Sequence, residues 1–422
     1  MLTNKNVWTL CLAMSTSSAV NTSLADDYHY VNLLVGDRAN GMGGAYTAIS
    51  DDPAGLFYNP AGIVHAQGSS LSGSMNTFNQ TTITYRKVLG GLHDWTRTSS
   101  SLLPNYFGVI QPWGWGMIGF SYAVPNASGE DQDESFDNIA TGLGTADKFI
   151  INYNNDDKTY NFGPSFAMKL SDTFSLGATL YLHQRQQQLI DNTLLVFSND
   201  RVWRNNYIEF EERGIKPKLG LMWSPSDSVS LGMSLSKITI FSSEITGHQS
   251  CLGANAASYG VNDLCASGDV VNHNITTIEE KSEYPLHLQF GSAWFHSNAL
   301  LLSADLSYHS AHTSNGNTRE QVINFSGGIE YYFNSTWALR AGIFSDYANT
   351  PKISSGEIGQ EEHVDLMGLS GSISRFTRNS SLTIGFNYSS GTGQAQIISG
   401  SSEIQEVEMS NLGLSLAASY LY

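Results

Sequence analysis

The chain has 422 residues, with 38 Asp+Glu against 21 Lys+Arg, only 14% charged residues, and 40 Gly, 20 Tyr and 19 Phe. A net charge of −17 repels phosphates rather than neutralising them, which argues against a nucleic-acid partner. So few charges do not suit a cytosolic surface, no run of about 20 apolar residues offers a membrane helix, and a large β-barrel is the one-domain solution that accommodates this length.

Residues 1–25 read as a secretory signal peptide: Lys5 near the start, an apolar core from Val7 to Met14, and a small-x-small cleavage site at Ser23-Leu24-Ala25. Removal of Lys5 with this leader takes the 21 basic residues to 20 against 38 acidic ones, a mature net charge of −18. Cys11 leaves as well. Cys251 and Cys265 remain, spaced for a disulfide in an oxidising compartment. Two thiols without supporting His or Cys do not make a zinc site.

Residues 26–66 break any strand pattern. Gly41-Met42-Gly43-Gly44-Ala45, Asp51-Asp52-Pro53 and Asn59-Pro60-Ala61 follow one another in a compact, Gly- and Ala-rich stretch. It is too short to bury a core of its own and needs a container. The glycine run is not a phosphate cradle, because no strand leads into it and no Lys-Ser or Lys-Thr follows. Pro60 restricts Asn59 to extended backbone, and the Asn side chain suits a fixed turn, so this element reads as an elbow that also sets the position of the stretch before it.

From residue 67 to 422 the dominant period is two. Tyr160, Phe162, Pro164, Phe166, Met168 and Leu170 alternate with small or polar residues, and Leu382, Ile384, Phe386 and Tyr388 repeat the pattern. Fourteen strands are expected, at 67–88, 103–112, 114–124, 157–170, 173–188, 206–223, 228–241, 283–296, 299–311, 320–333, 336–347, 362–376, 379–391 and 405–422. Short links alternate with longer ones, the longest loops being 125–156 and 242–282. This is the layout of an antiparallel transmembrane barrel with short periplasmic turns and long outer loops. Trp113, Trp115, Trp223, Trp294 and Trp337 fall near strand ends, where aromatic girdles sit. A last strand that ends on the aromatic Tyr422 is similar to the signal read by the outer-membrane assembly machinery.

Lys169, Asp305, Glu330, Arg340 and Asp346 have inward parity and are expected to form a lumenal network that holds the plug. The acidic run Glu130-Asp131-Gln132-Asp133-Glu134 lacks the ordered spacing of a calcium loop and is expected in a solvated outer loop. No His-Glu-x-x-His and no Gly-x-Ser-x-Gly element is present, so no catalytic residues, metal or cofactor are expected.

The plug motifs and the Trp113-Gly114-Trp115-Gly116 turn resemble the FadL/TodX/OmpP1 family of outer-membrane transporters for long-chain fatty acids and other hydrophobic compounds. The resemblance spans nearly the whole mature chain. It implies a monomeric Gram-negative outer-membrane barrel, set among lipid and lipopolysaccharide, with a movable hatch at 26–66 bearing Gly41, Gly43, Gly44, Asn59, Pro60 and Ala61. It also implies a lateral exit at a kink in the third strand, for which Gly116 and Gly119, with Pro125 following, are the candidates. The ligand-contacting residues are not assigned by it. A second reading keeps the barrel but gives the work to its outer loops, as in a surface receptor or adhesin, with a Cys251–Cys265 loop as a stable surface.

Overall fold

The computed structural model describes residues 28–91, 93–141, 144–253, 268–314, 317–397 and 402–422; the expected leader lies outside them. The strands are β1 (Ser70–Lys87), β2 (His93–Trp113), β3 (Gly116–Thr141), β4 (Gly144–Lys169), β5 (Phe174–Phe197) and β6 (Asp200–Ser226). They continue with β7 (Val229–Ser236, then Thr239–Gly253), β8 (Gly268–Ile278, then His287–Phe295), β9 (Leu300–His309) and β10 (Val322–Asn334). The last four are β11 (Trp337–Asp346), β12 (His363–Val364, then Leu366–Phe376), β13 (Ser380–Ala395) and β14 (Gln405–Leu421). Every neighbouring pair is antiparallel, and β1 closes on β14 from Ser70↔Leu421 to Tyr85↔Val407. Closure matters physically: within lipid, every backbone N–H and C=O must find its partner inside the protein.

Alternation sets the two faces. Outward side chains such as Phe120, Leu180, Leu219, Leu306, Ile323, Ile384 and Leu414 are exposed, whereas their inward neighbours on β5, β6 and β7 are buried. An apolar belt this continuous is stable only against hydrocarbon. Trp113, Trp115, Trp223, Trp294 and Trp337 lie, also exposed, at the short-turn end. No helix among the described residues is long and apolar enough to cross a membrane; the strands cross it. The chain is thus an outer-membrane β-barrel of fourteen strands.

The expected long loops are largely strand. Asn126–Thr141 and Gly144–Thr159 pair with each other as the outer half of the β3–β4 hairpin, and β7 past Thr239 pairs with both β6 and β8. These extensions rise beyond the membrane, where outward positions no longer need to be oily. That loss of apolar alternation is why they read as loops. The acidic run is corrected accordingly: it lies in β3, and Glu130, buried, accepts two bonds from Arg97 at 3.1 and 2.6 Å. Cys251 is buried and disulfide-bonded, while Cys265, its expected partner, lies outside the described residues.

Candidate functional site: plug, cavity and a gap in the wall

Residues 37–65 fold as three short pieces, α1 (Asp37–Gly41), α2 (Gly55–Tyr58) and a 3-10 turn (Pro60–His65). They fill the lumen near the short-turn end, with Val35, Ala39, Met42, Tyr46, Leu56 and Ile63 almost fully buried. Three cross-strand glycine pairs receive them. Gly177 pairs with Gly220 against Pro60 and Ala61, Gly232 pairs with Gly291 against Thr47 and Ala48, and Gly328 pairs with Gly342 against Met42 and Gly43. A Cβ on Gly342 would stand 2.3 Å from the Gly43 nitrogen, so plug backbone lies directly on wall backbone. From the plug side, a Cβ on Gly41 would meet Ser372 Oγ at 2.0 Å, and Gly43 and Gly44 take φ of +66° and +83°. Glycine is needed here for both space and conformation.

Asn59 is extended, at φ −149°, as the following proline requires. Its Nδ2 donates to Thr47 O at 2.8 Å and to Leu221 O of β6 at 3.0 Å, while its Oδ1 accepts from Ala61 N at 3.1 Å. The elbow is therefore tied to the plug, the wall and itself through one buried amide. Ser175 Oγ adds a bond to Ala61 O at 2.9 Å.

Four of the five inward charges hold the plug. Glu330 receives Arg38 in a two-pronged pair, both distances 2.8 Å, and Arg340 Nε at 2.5 Å. Arg38 Nη1 also donates to Asp51 at 2.6 Å, so the two cations face two carboxylates. Asp305 accepts from the amides of Tyr46 and Thr47 at 3.1 and 2.9 Å, and Asp346 from those of Tyr30 and Val31 at 3.1 and 3.2 Å. Lys169 is exposed and takes no part in these bonds. Asp52 caps Ala54 N at 2.8 Å. Burial, and then the charges of Asp37 and Asp51, push its carboxyl up from 3.8 to about 7.

Above the plug lies a cavity of about 320 Å³. Tyr28–Leu34, Phe57 and Tyr58 form its plug side, and Lys216, Lys218, His287 and His309 are on its wall side. Lys218 Nζ donates to Tyr58 O at 2.9 Å. Lys216 stands 5.5 Å from the centre of the Phe57 ring and, among the described residues, has no carboxylate partner. Tyr30, His309 and His287 stack in a column, at 3.9 and 4.2 Å between neighbouring centroids.

Among the described residues the wall is interrupted at two places beside this cavity: between β7 and β8, where pairing stops at Ser236↔His287 and resumes at Ile245↔Ile278, and between β2 and β3. The β2–β3 ladder runs to Tyr106↔Ala123 and resumes only at Ser99↔Glu130, while β3 carries a bulge between Ala123 and Asn126. Pro104 and Pro125, which have no N–H to give, stand in the interruption. Gly116 and Gly119 do not: Gly116 pairs with Trp113 and Met168, and Gly119 with Ile110 and Ser165, inside intact ladder. The expectation that those glycines mark the kink is therefore corrected. They serve close packing, Gly119 against Leu56 of the plug. Arg38, the wall glycines and Lys216 escaped the sequence reading. The glycines and Lys216 owe their positions to register, which a lone alternating pattern does not reveal, and Arg38 lies in a short helix outside that pattern.

Fold and site together define a plugged outer-membrane barrel with a cavity over the plug. Structures of that class are what the chain matches: a Pseudomonas aeruginosa FadL homologue (16% identity, TM-score 0.63, 93% of this chain and 99% of the other) and the toluene transporter TodX of P. putida (15%, 0.68, 93% and 99%). The Ralstonia pickettii toluene transporter TbuX is a third, at 16% identity and TM-score 0.61, again over 93% and 99%. No protein-family model and no curated protein sequence matches. The likeness is one of fold, and it agrees with the FadL/TodX resemblance read from the sequence.

Proposed function

We propose that this protein carries hydrophobic small molecules, long-chain fatty acids or other apolar compounds, across the outer membrane as a monomeric channel rather than an enzyme. The observation that carries this reading is the placement of a cavity directly between a lumen-filling plug and an interrupted ladder. A porin needs none of these, since water and sugars pass straight through. The ligand descends into the cavity on the side of β8–β11, and its path down is blocked by the plug. It leaves sideways through the β2–β3 interruption, toward lipid. Lys216 offers a fatty-acid carboxylate its counter-charge beside Phe57. The residues from Gly41 to Gly44 and Asn59-Pro60-Ala61 set the height of the plug under the bound ligand.

The test is uptake of labelled palmitate and toluene by cells with and without the protein, together with binding to the purified barrel. Lys216→Met should weaken palmitate binding about tenfold and leave toluene unchanged, a difference of roughly 1.4 kcal/mol. Equal uptake with and without the protein would reject transport. The height of the β3–β4 and β5–β6 hairpins above the membrane favours a second reading, a surface receptor. Cell or matrix binding that disappears when residues 242–282 are trimmed, with uptake intact, would support it.

A further inference from the structure

The interruption between β7 and β8 lies away from both the plug and the β2–β3 gap. Below it the strands pair from Val229↔Trp294 to Ser236↔His287, and above it from Ile245↔Ile278 onward. In between, Lys237 to Glu244 and Glu279 to Leu286 form no ladder with each other, a seam of roughly 25 Å along the strands. Its causes are local. Lys237 and Ile238 also lack a ladder partner in β6, where pairing passes from Lys218↔Ser236 to Ile215↔Thr239 across Pro217. On the other side Pro285 precedes Leu286, whose amide donates to Ser310 Oγ and whose carbonyl accepts from Ser310 N, both at 3.0 Å. Neither proline has an N–H to give to a ladder.

The seam starts where the oily face ends. Leu231, Met233 and Leu235 share the outward parity of β7, and the next residue of that parity is Lys237, exposed. On the β8 side Phe290 and Leu286 are exposed. This is the level at which hydrocarbon gives way to headgroups, on the side away from the short turns. The cavity reaches it, because Lys237, Ile238, Glu283 and Pro285 are among its lining residues. The β2–β3 interruption is filled by Leu33, Val124 and Ala127, all buried. At the seam the lining residues Lys237 and Glu283 are exposed instead, so the cavity opens outward there. Tyr284 turns into the lumen, its hydroxyl donating to Glu212 at 2.6 Å and its ring edge-on to His183 at 5.5 Å.

We infer that this seam is a side entrance to the cavity, used by amphiphiles that already lie in the outer leaflet. A molecule with an apolar chain and an acidic head fits its chemistry. Ile238, Leu286 and Phe241 give the chain an apolar rim, and Phe57 meets it inside the cavity. Lys237 at the rim and Lys216 in the cavity supply a counter-charge at each end of the passage. A chain that enters here passes from hydrocarbon to cavity without exposing its length to water, which removes the main cost of leaving the bilayer.

This inference rests on the transport reading above, and the experiment separates the two. Leu286→Cys carries a bulky thiol reagent at the seam, attached through a disulfide that a reductant releases. Leu306→Cys, exposed on β9 within intact ladders on both sides, carries the same reagent as the control. Reductant-treated parent protein controls for its own Cys251 disulfide. Barrels in phosphatidylcholine vesicles are loaded with palmitate or octanoate, the longer chain favouring the bilayer by roughly 10⁴-fold. The blocked seam should slow palmitate loading at least about tenfold, recover on reduction, and leave octanoate, which arrives from water, within about twofold. Equilibrium binding of both acids should be unchanged, because an entrance alters entry and departure alike. Palmitate loading as fast as in the Leu306→Cys control overturns the entrance. Equal slowing of both acids overturns it too, since the effect would then lie in the cavity itself. Parent protein that neither binds nor carries palmitate or toluene overturns transport.

Discussion

At the scale of single residues, the plug is held by a few buried groups with several duties each. Asn59→Ala removes two donated bonds and one accepted bond from a site without exposure, and should loosen the plug by about 3 kcal/mol. Hydrogen exchange over residues 37–66 would read this directly, with the barrel amides unchanged. Gly342→Ala tests the wall side, because its new Cβ meets plug backbone and should cost about 2 kcal/mol of plug docking. Gly73→Ala, whose Cβ finds only Tyr106 O at 3.9 Å, should cost much less. Asp52 adds a pH dependence of definite sign. Its carboxyl is raised from 3.8 to about 7 in the folded protein, so the docked plug holds that proton more tightly than a released one does. Docking is therefore weakest above pH 7 and strengthens as the pH falls from 7 towards 4. Asp52→Asn keeps the cap on Ala54 and should flatten that slope. An unchanged exchange profile between pH 5 and 8 in the parent protein would refute the assignment.

At the scale of elements, the strands show what an alternating pattern can and cannot say. Leu382 to Tyr388 in β13 and Leu412 to Tyr420 in β14 face lipid, and there the pattern placed strand and face together. In β3 from Asn126 onward the outer face meets water, so both faces are mixed and strand is indistinguishable from loop. Pairing partners are further out of reach. That Gly328 lies opposite Gly342, or Glu330 opposite Arg340, depends on a register set by turns on both sides. The plug's glycines were legible as a compact Gly-rich run that needs a container. Their counterparts in the wall were not, because a strand glycine has several other uses. The Glu330 cluster gives the sharpest test at this scale. Glu330→Gln leaves Arg38 and Arg340 side by side in a buried site with only Asp51 as counter-charge. A loss of about 3 kcal/mol is expected, read as earlier release of the plug in denaturant while heat-modifiable gel mobility of the barrel persists.

For the whole molecule, the contacts have a vertical order. Every wall glycine pair that receives the plug lies within a few residues of a short turn, so the plug is a floor at the periplasmic end. The apolar cluster of Phe136, Ile151, Leu189, Ile208, Phe210, Val407 and Met409 fills the upper lumen over β1–β7 and β12–β14. The lower rim over β9–β11 leaves the cavity its approach. Below the cavity, the plug therefore bears the whole burden of keeping water and ions from passing. The parent barrel should show no steady conductance in a planar bilayer. A chain lacking residues 28–66, shown to be folded by its gel mobility and able to close because the β1–β14 ladder needs no plug residue, should show resolved current steps. A fourteen-strand wall is wide enough for this, since its lumen must be filled by something once side chains alone no longer reach across. Steps in the parent protein would mean that the plug does not seal, and silence in the plugless chain would mean that the upper cluster seals on its own.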